Sequence, residues 1–237
     1  MYNRPSLLSL VTDESFESCL DMGCGPGEYI PELKKQTQNI TAIDLYEEFI
    51  DMVNSKHPDV KSYVCDVSKG ANEAEGSFDL VISSLAIHYI ENFDFLFSEV
   101  RRILKKDGIF VFLTDHPVMD IHYNKPPNYF QKEKVIQSWV VLGDTKTEVY
   151  FFRRPLTETF NSLFKNGFVI EGFNEGVPSE KIKENSEKLY EKLTIFPQFI
   201  FVRARKNSAF TLSFSFDSIL LKYQFDFHLD HRDMFLE

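Results

Sequence analysis

Three apolar runs, SCLDM, NITAID and VKSYVCD, constrain this chain most, because each is broken or ended by an aspartate (Asp21, Asp44, Asp66). The first runs straight into GCGPGE, with glycines at 23, 25 and 27. Each run is followed by a more polar segment with helical or turn character. Short apolar runs alternating with helical segments over short connections specify a parallel sheet with helices on its faces. In such a sheet ligands gather at the carboxyl ends of the strands, where these three carboxylates fall.

The same alternation continues along the chain. SCLDM predicts a strand, 28–36 a helix, and NITAID a second strand. LYEEFIDMVNSKH is helical, with Leu45, Phe49, Met52 and Val53 at helical spacing. VKSYVCD is a third strand, and FDLVISS is a fourth, apolar enough to be buried on both faces. NFDFLFSEVRRILKKDG reads as a helix whose KKDG end supplies cations to the last turn, with Gly108 just past it. IFVFLT is a fifth strand.

Residues 115–150 break the rhythm. They are rich in proline, aromatics and histidine, and too long for a simple connection, so a cap over a site is expected. Pro155 then opens a helix through Leu156, Phe160, Leu163 and Phe164, and Gly167 ends it. FVIEGF is a sixth strand, PSEKIKENSEKLYEKL one polar helix, and QFIFVRARK a seventh strand. The segment 207–237 alternates apolar and polar residues (Phe210, Leu212, Phe214, Phe216; Tyr223, Phe225, Phe227, Leu229), as an extra hairpin or a loose extension would. The expected organisation is one domain over 1–206, with 115–150 inserted as a substrate cap and 207–237 as an aromatic tail.

Charge and cysteine content exclude several functions. The net charge is −10, and only short basic pairs occur, such as Arg101-Arg102 and Arg153-Arg154. No basic stripe displaces counterions from a nucleic acid. Cys19, Cys24 and Cys65 have neither disulfide-framework nor zinc spacing, so reduced thiols are expected. His228 and His231 lack a third ligand, and no metal is expected. No run reaches the roughly 18 apolar residues of a membrane span, and MYNRPSLLSLVTDES lacks the apolar core of a signal peptide. The cytoplasm is the expected location.

A glycine-rich turn between a strand and a helix lets the backbone approach a ligand and presents unsatisfied N–H groups. Three ligands compete for it: a nicotinamide dinucleotide, a nucleotide phosphate, and another adenosine-bearing cofactor. A dinucleotide loop reads G-x-G-x-x-G, whereas position 28 is Glu28, which opposes a pyrophosphate. The lysine and hydroxyl residue of a P-loop are missing. Asp44 falls where a ribose-binding acid stands, and Asp66 where an adenine amino group can be met. An adenosine without pyrophosphate fits, and S-adenosylmethionine is such a ligand.

CLDMGCGPGEY, AIDLY, VCDVS, FDLVISSLAIHYI and VRRILKKDGIFVF resemble the successive motifs of class I S-adenosylmethionine-dependent methyltransferases, in the small-molecule branch known as type 11. The resemblance continues through DHP, YFFRRPLTETFNSLFKNGF and PQFIFVRARK and covers residues 2–206. It implies a Rossmann-like, seven-stranded, mostly parallel sheet in the order 3-2-1-4-5-7-6. It implies cofactor contacts from Asp21, Gly23, Cys24, Gly25 and Gly27, from Asp44 and Leu45, from Cys65, Asp66 and Val67, and from Ser83 and Ser84. The chain departs from the pattern in three places. A helical stretch expected before YNRP is missing. FNEGVPSE keeps only Glu175 and Pro178 of an acid-proline pattern, and 207–237 is additional.

The acceptor side is expected beyond the fourth and fifth strands. His88 and His116 are candidate general bases, needed only if the acceptor must lose a proton. Tyr89, Tyr123, Tyr129 and Trp139 are candidate pocket aromatics, and Arg153 a candidate anion contact. The expected activity is methyl transfer to a small-molecule acceptor by a monomer or homodimer, without nucleic-acid or membrane partners. The alternatives are a non-catalytic S-adenosylmethionine-binding module and a nicotinamide-dependent oxidoreductase.

Overall fold

In the computed structural model, residues 3–11, 14–126, 128–141, 145–178 and 180–209 are described. The expected tail hairpin at 210–237 lies outside them.

The chain begins with a short helix, α1 (Asn3–Leu8), then β1 (Cys19–Met22), α2 (Ile30–Leu33), β2 (Ile40–Asp44), α3 (Glu47–Lys56) and β3 (Lys61–Val64). β4 (Phe78–Ser84), α4 (Phe93–Ile103) and β5 (Leu104–Asp115) follow. The cap consists of α5 (Pro117–Asn124) and a hairpin, β6 (Glu133–Val141) with β7 (Thr145–Arg153). α6 (Leu156–Lys165), β8 (Phe168–Asn174), α7 (Glu180–Asn185), α8 (Glu187–Ile195) and β9 (Phe199–Lys206) complete the domain.

The main sheet runs β3-β2-β1-β4-β5-β9-β8. This is the expected order 3-2-1-4-5-7-6, with the two hairpin strands counted in between. β1 to β5 pair in parallel, and β9 runs antiparallel to both β5 and β8. Alternate residues of each central strand feed two cores. Cys19, Leu80, Ile82, Ile109, Val111 and Leu113 pack on one face with α1, α2 and α3. Leu20, Val81, Phe110 and Phe112 pack on the other with α4 and α6. That second core takes up several of the chain's phenylalanines, with the Phe97, Phe110 and Phe112 rings 4.9–6.0 Å apart between centroids.

Three expected elements differ. The helix expected over 28–36 is regular only over Ile30–Leu33. α4 stops at Ile103, and KKDG lies within β5 instead. Leu104 is wholly buried and pairs with Phe78, and Asp107, at φ +59°, turns the chain where Gly108 was expected to. The polar helix after β8 is two helices, because the Ser186 hydroxyl accepts from the Leu189 N–H at 3.3 Å and caps a new start.

Candidate active site

The glycine loop is built by contact between two strand ends. Gly23 has φ +73°, and a Cβ placed there would stand 2.3 Å from Ala86 Cβ, in the loop after β4. Gly27, at φ +79°, leaves room for Ile30 and Val53, which a Cβ would meet at 2.9 and 3.2 Å. Neither position accepts a side chain. At Gly25 nothing lies within 4 Å of an added Cβ, so the crest of the loop is an open cradle.

Two carboxylates underlie the cradle. Asp21 is 1% exposed, and its Oδ2 has no hydrogen-bond partner. Burial, and then the neighbouring Asp44 charge, push its carboxyl up to about 7. Asp44 Oδ2 accepts from the Gly25 N–H at 2.9 Å and Oδ1 from the Tyr46 N–H at 3.0 Å. It ties the loop to the end of β2, and each oxygen keeps capacity for a hydroxyl donor. Leu45 and Tyr46, 50% and 59% exposed, form an apolar shelf beside it. An orphaned buried carboxyl oxygen, an open backbone cradle and a carboxylate beside an apolar shelf fit an adenosine that carries a cationic amino group.

The other expected cofactor residues take varied places. Asp66 caps the 3-10 turn Val67–Lys69, accepting from the Ser68 N–H and hydroxyl, and pairs with Lys69 at 2.9 Å. Cys24 is buried and Cys65 half-buried, and burial pushes both thiols up, away from reactivity. The Ser83 hydroxyl donates to the Met22 carbonyl inside the sheet, whereas Ser84 donates to the Tyr29 hydroxyl at 3.0 Å. Glu28 does not face the loop's ligand side alone: it pairs with Arg4 of α1, whose guanidinium lies 5.8 Å from the Tyr29 ring centroid. Arg4 and Tyr29 thus tie α1 to the end of the glycine loop. Sequence reasoning passed over both, although Tyr29 closes the glycine motif.

A cavity of about 20 Å³ lies between the end of β5, the loop after β4 and the cap. His88, Thr114, Asp115, Asp120, Phe151, Arg153 and Arg154 are among its walls. His88 is buried, and its Nδ1 has no hydrogen bond and lies 3.9 Å from Asp115 Oδ2. Burial and then Arg154 lower its pKa to about 3. Asp115 is raised to about 6 by burial, and Asp120 to about 6 by burial and then Asp115. His116 instead caps α5, its Nδ1 accepting from the Val118 N–H at 3.0 Å. This leaves the proton on Nε2, 3.0 Å from Glu175 Oε1.

Arg153 is held by the cap itself. It donates to Glu133 at 2.6 Å and to the carbonyls of Asn128 and Tyr129. The Tyr129 hydroxyl accepts from the Leu156 N–H at the start of α6. Tyr89 stacks on His88 at 4.1 Å, Tyr123 is exposed beside Lys192, and Trp139 lies on β6 opposite Thr147. The carboxylates in the cavity wall, Asp115 and Asp120, are among the wall residues that sequence reasoning did not select. Asp115 ends β5 as the first residue of DHP, the motif from which His116 was chosen.

Comparison with known proteins agrees with this geometry. Residues 20–112 match the type 11 methyltransferase-domain family model. The chain is 24% identical to an uncharacterized protein of Haemophilus influenzae over 86% of each chain. It is 28% identical to the malonyl-[acyl-carrier protein] O-methyltransferase of Salmonella typhimurium, over 48% of this chain and 45% of that protein. It superimposes on an S-adenosylmethionine-dependent methyltransferase of Mesorhizobium loti with a TM-score of 0.68 and 25% identity, covering 85% of this chain and 96% of the other. In its glycine-loop segment the chain is similar to S-adenosylmethionine-dependent methyltransferases, and its sheet has their fold.

Proposed function

We propose that this chain transfers a methyl group from S-adenosylmethionine to a small-molecule acceptor whose reacting group enters between the ends of β4 and β5, beneath the 115–153 cap. The observation that carries the reading is the polar cavity walled by His88, Asp115 and Arg154 on the acceptor side of the glycine cradle. Asp21 and the loop N–H groups would hold the methionine end, and Asp44 the ribose. The Leu45–Tyr46 shelf, with Val67, would hold the adenine. When bound, the cofactor supplies a methyl group on a positively charged sulfur, which is neutralised as the methyl leaves.

The protein's task is then to hold the nucleophile in line and keep water out. The hairpin β6–β7 and Phe151 cover the cavity. For an acceptor that must lose a proton, the role of base falls to Asp115. Its raised carboxyl is matched to neutral pH, whereas His88, at about 3, is too weak a base and stays a neutral neighbour. His116 is engaged with Glu175 and acts as a cap anchor.

Calorimetry with S-adenosylhomocysteine tests the cofactor, with micromolar binding expected and absence of binding fatal to the reading. Transfer of labelled methyl to an acceptor panel tests turnover. Binding without any transfer would favour the non-catalytic module.

A further inference from the structure

The cavity contains a charge that the protein leaves incompletely paired. Arg154 is almost fully buried, its side chain 5% exposed. Its Nη2 donates to the Ile90 carbonyl at 2.6 Å and, at 3.4 Å, to that of Glu91. Its Nε and Nη1 have no hydrogen-bond partner. The guanidinium lies flat against Phe93, 3.4 Å from the ring centroid. The nearest carboxylate, Glu158, is 3.9 Å from Nε, beyond hydrogen-bond range, and is shared with Lys132 at 3.5 Å. A buried guanidinium with two idle donors is rare and costly unless something accepts from it.

The surroundings indicate what that acceptor is. Arg154 stands beside the start of α6, a ten-residue helix whose N-terminal end carries partial positive charge into the same place. Arg153, the other cavity arginine, is already neutralised by Glu133. Of the cavity's acids, Asp120 accepts from Asn124 at 3.0 Å, and Asp115 lies 3.9 Å from the neutral His88 imidazole. Asp120, pushed up to about 6 by burial and then by Asp115, can hold a proton and donate when an anion arrives, leaving Asp115 ionised as the base. The idle Nε–H and Nη1–H lie on different edges of the guanidinium, so each offers a separate donor to an anion.

We propose that Arg154 is an acceptor-recognition residue, and that this enzyme's acceptor carries a carboxylate that seats in the β4–β5 cavity against the Arg154 guanidinium. The inference rests on the methyl-transfer reading for its substrate but not for its binding chemistry.

The test uses the full chain, with and without S-adenosylhomocysteine, titrated with phenylacetate, phenylacetamide and phenethylamine. The carboxylate is expected to bind at least about tenfold more tightly than the amide, as charged hydrogen bonds do. Arg154→Met should abolish that preference, and Arg154→Lys should retain part of it, while both variants keep the wild-type affinity for S-adenosylhomocysteine. Equal binding of carboxylate and amide, tighter binding of the amine, or an unchanged preference in Arg154→Met would overturn the proposal. If Arg154→Met fails to fold, a crystal structure of the wild type with phenylacetate decides, by whether the carboxylate lies on Arg154 or elsewhere. Loss of S-adenosylhomocysteine binding in the wild type would sink the methyl-transfer reading instead, and the two failures are thereby distinct.

Discussion

Gly23 and Ala86 meet so closely that a Cβ on the glycine would stand 2.3 Å from the alanine Cβ. The loop after β1 and the loop after β4 are thus pressed together, and the Ala86 side presents the strand end that leads to His88. Gly23→Ala adds both a left-handed strain and an overlap that no rotamer relieves, since a Cβ does not rotate away. The expected cost is on the order of 2–4 kcal/mol, with cofactor affinity falling at least about tenfold. Denaturant melts and calorimetry with S-adenosylhomocysteine measure the two. Wild-type affinity in this variant would show that the loops are free to separate.

Asp21 should make the free protein less stable as pH rises. Its folded carboxyl titrates near 7 and its unfolded one near 3.8, so between those values the folded chain holds a proton that the unfolded chain has released. Stability from this group is complete below about pH 4 and is lost as pH passes through 7, by on the order of 4 kcal/mol. Asp21→Asn removes that slope. Comparing the two proteins across pH 4–8 cancels the shared contributions of Asp115, Asp120 and His88. The same variant should weaken cofactor binding, because an amide cannot neutralise a cationic amino group. Identical pH slopes in the two proteins would rule the account out.

The acid limb of activity should belong to Asp115. With an acceptor that loses a proton, kcat/KM falls below about pH 6, where the carboxyl of Asp115 protonates. Asp115→Asn lowers the rate by about 10²–10⁴-fold and removes that limb. His88→Gln keeps it, because His88 titrates near 3. A limb that vanishes with His88 and survives loss of Asp115 reverses the assignment.

Arg153 should matter to the cap rather than to catalysis. Its side chain is buried and joins β7 to Glu133 on β6 and to the carbonyls of Asn128 and Tyr129. Arg153→Met leaves those acceptors without their donor, at about 2–4 kcal/mol. The melting temperature should fall by roughly 5–10 °C, with faster proteolysis between 126 and 153. Unchanged protease sensitivity would show that the hairpin is held by other contacts.

Much of the fold was legible because a doubly covered parallel sheet writes itself into sequence as short apolar runs. FDLVISS and IFVFLT are apolar on both faces because helices cover both. The misreadings came where local signals met tertiary packing. KKDG looked like a helix end, yet Leu104 is drawn into the sheet against Phe78, and the helix must stop before it. PSEKIKENSEKLYEKL has the composition of one helix, but the Ser186 hydroxyl is a strong cap that starts another.

The site divides in the same way. Gly23, Gly25, Gly27, Asp21 and Asp44 were readable because their neighbours in space are strand ends at fixed spacing in the chain, a local constraint. Arg153 and Arg154 are adjacent in sequence and chemically identical, and no pattern separates them. One is neutralised by Glu133 across the hairpin, and the other, just past the end of β7, is left with idle donors because no carboxylate comes within hydrogen-bond reach of it. Likewise burial lowers the His88 imidazole to about 3 and raises the Asp115 carboxyl to about 6, because it acts oppositely on a cation and an anion. The sequence by itself determined the sheet and the cofactor loop. Tertiary burial, which no local pattern encodes, decided which charged groups line the cavity beneath the cap.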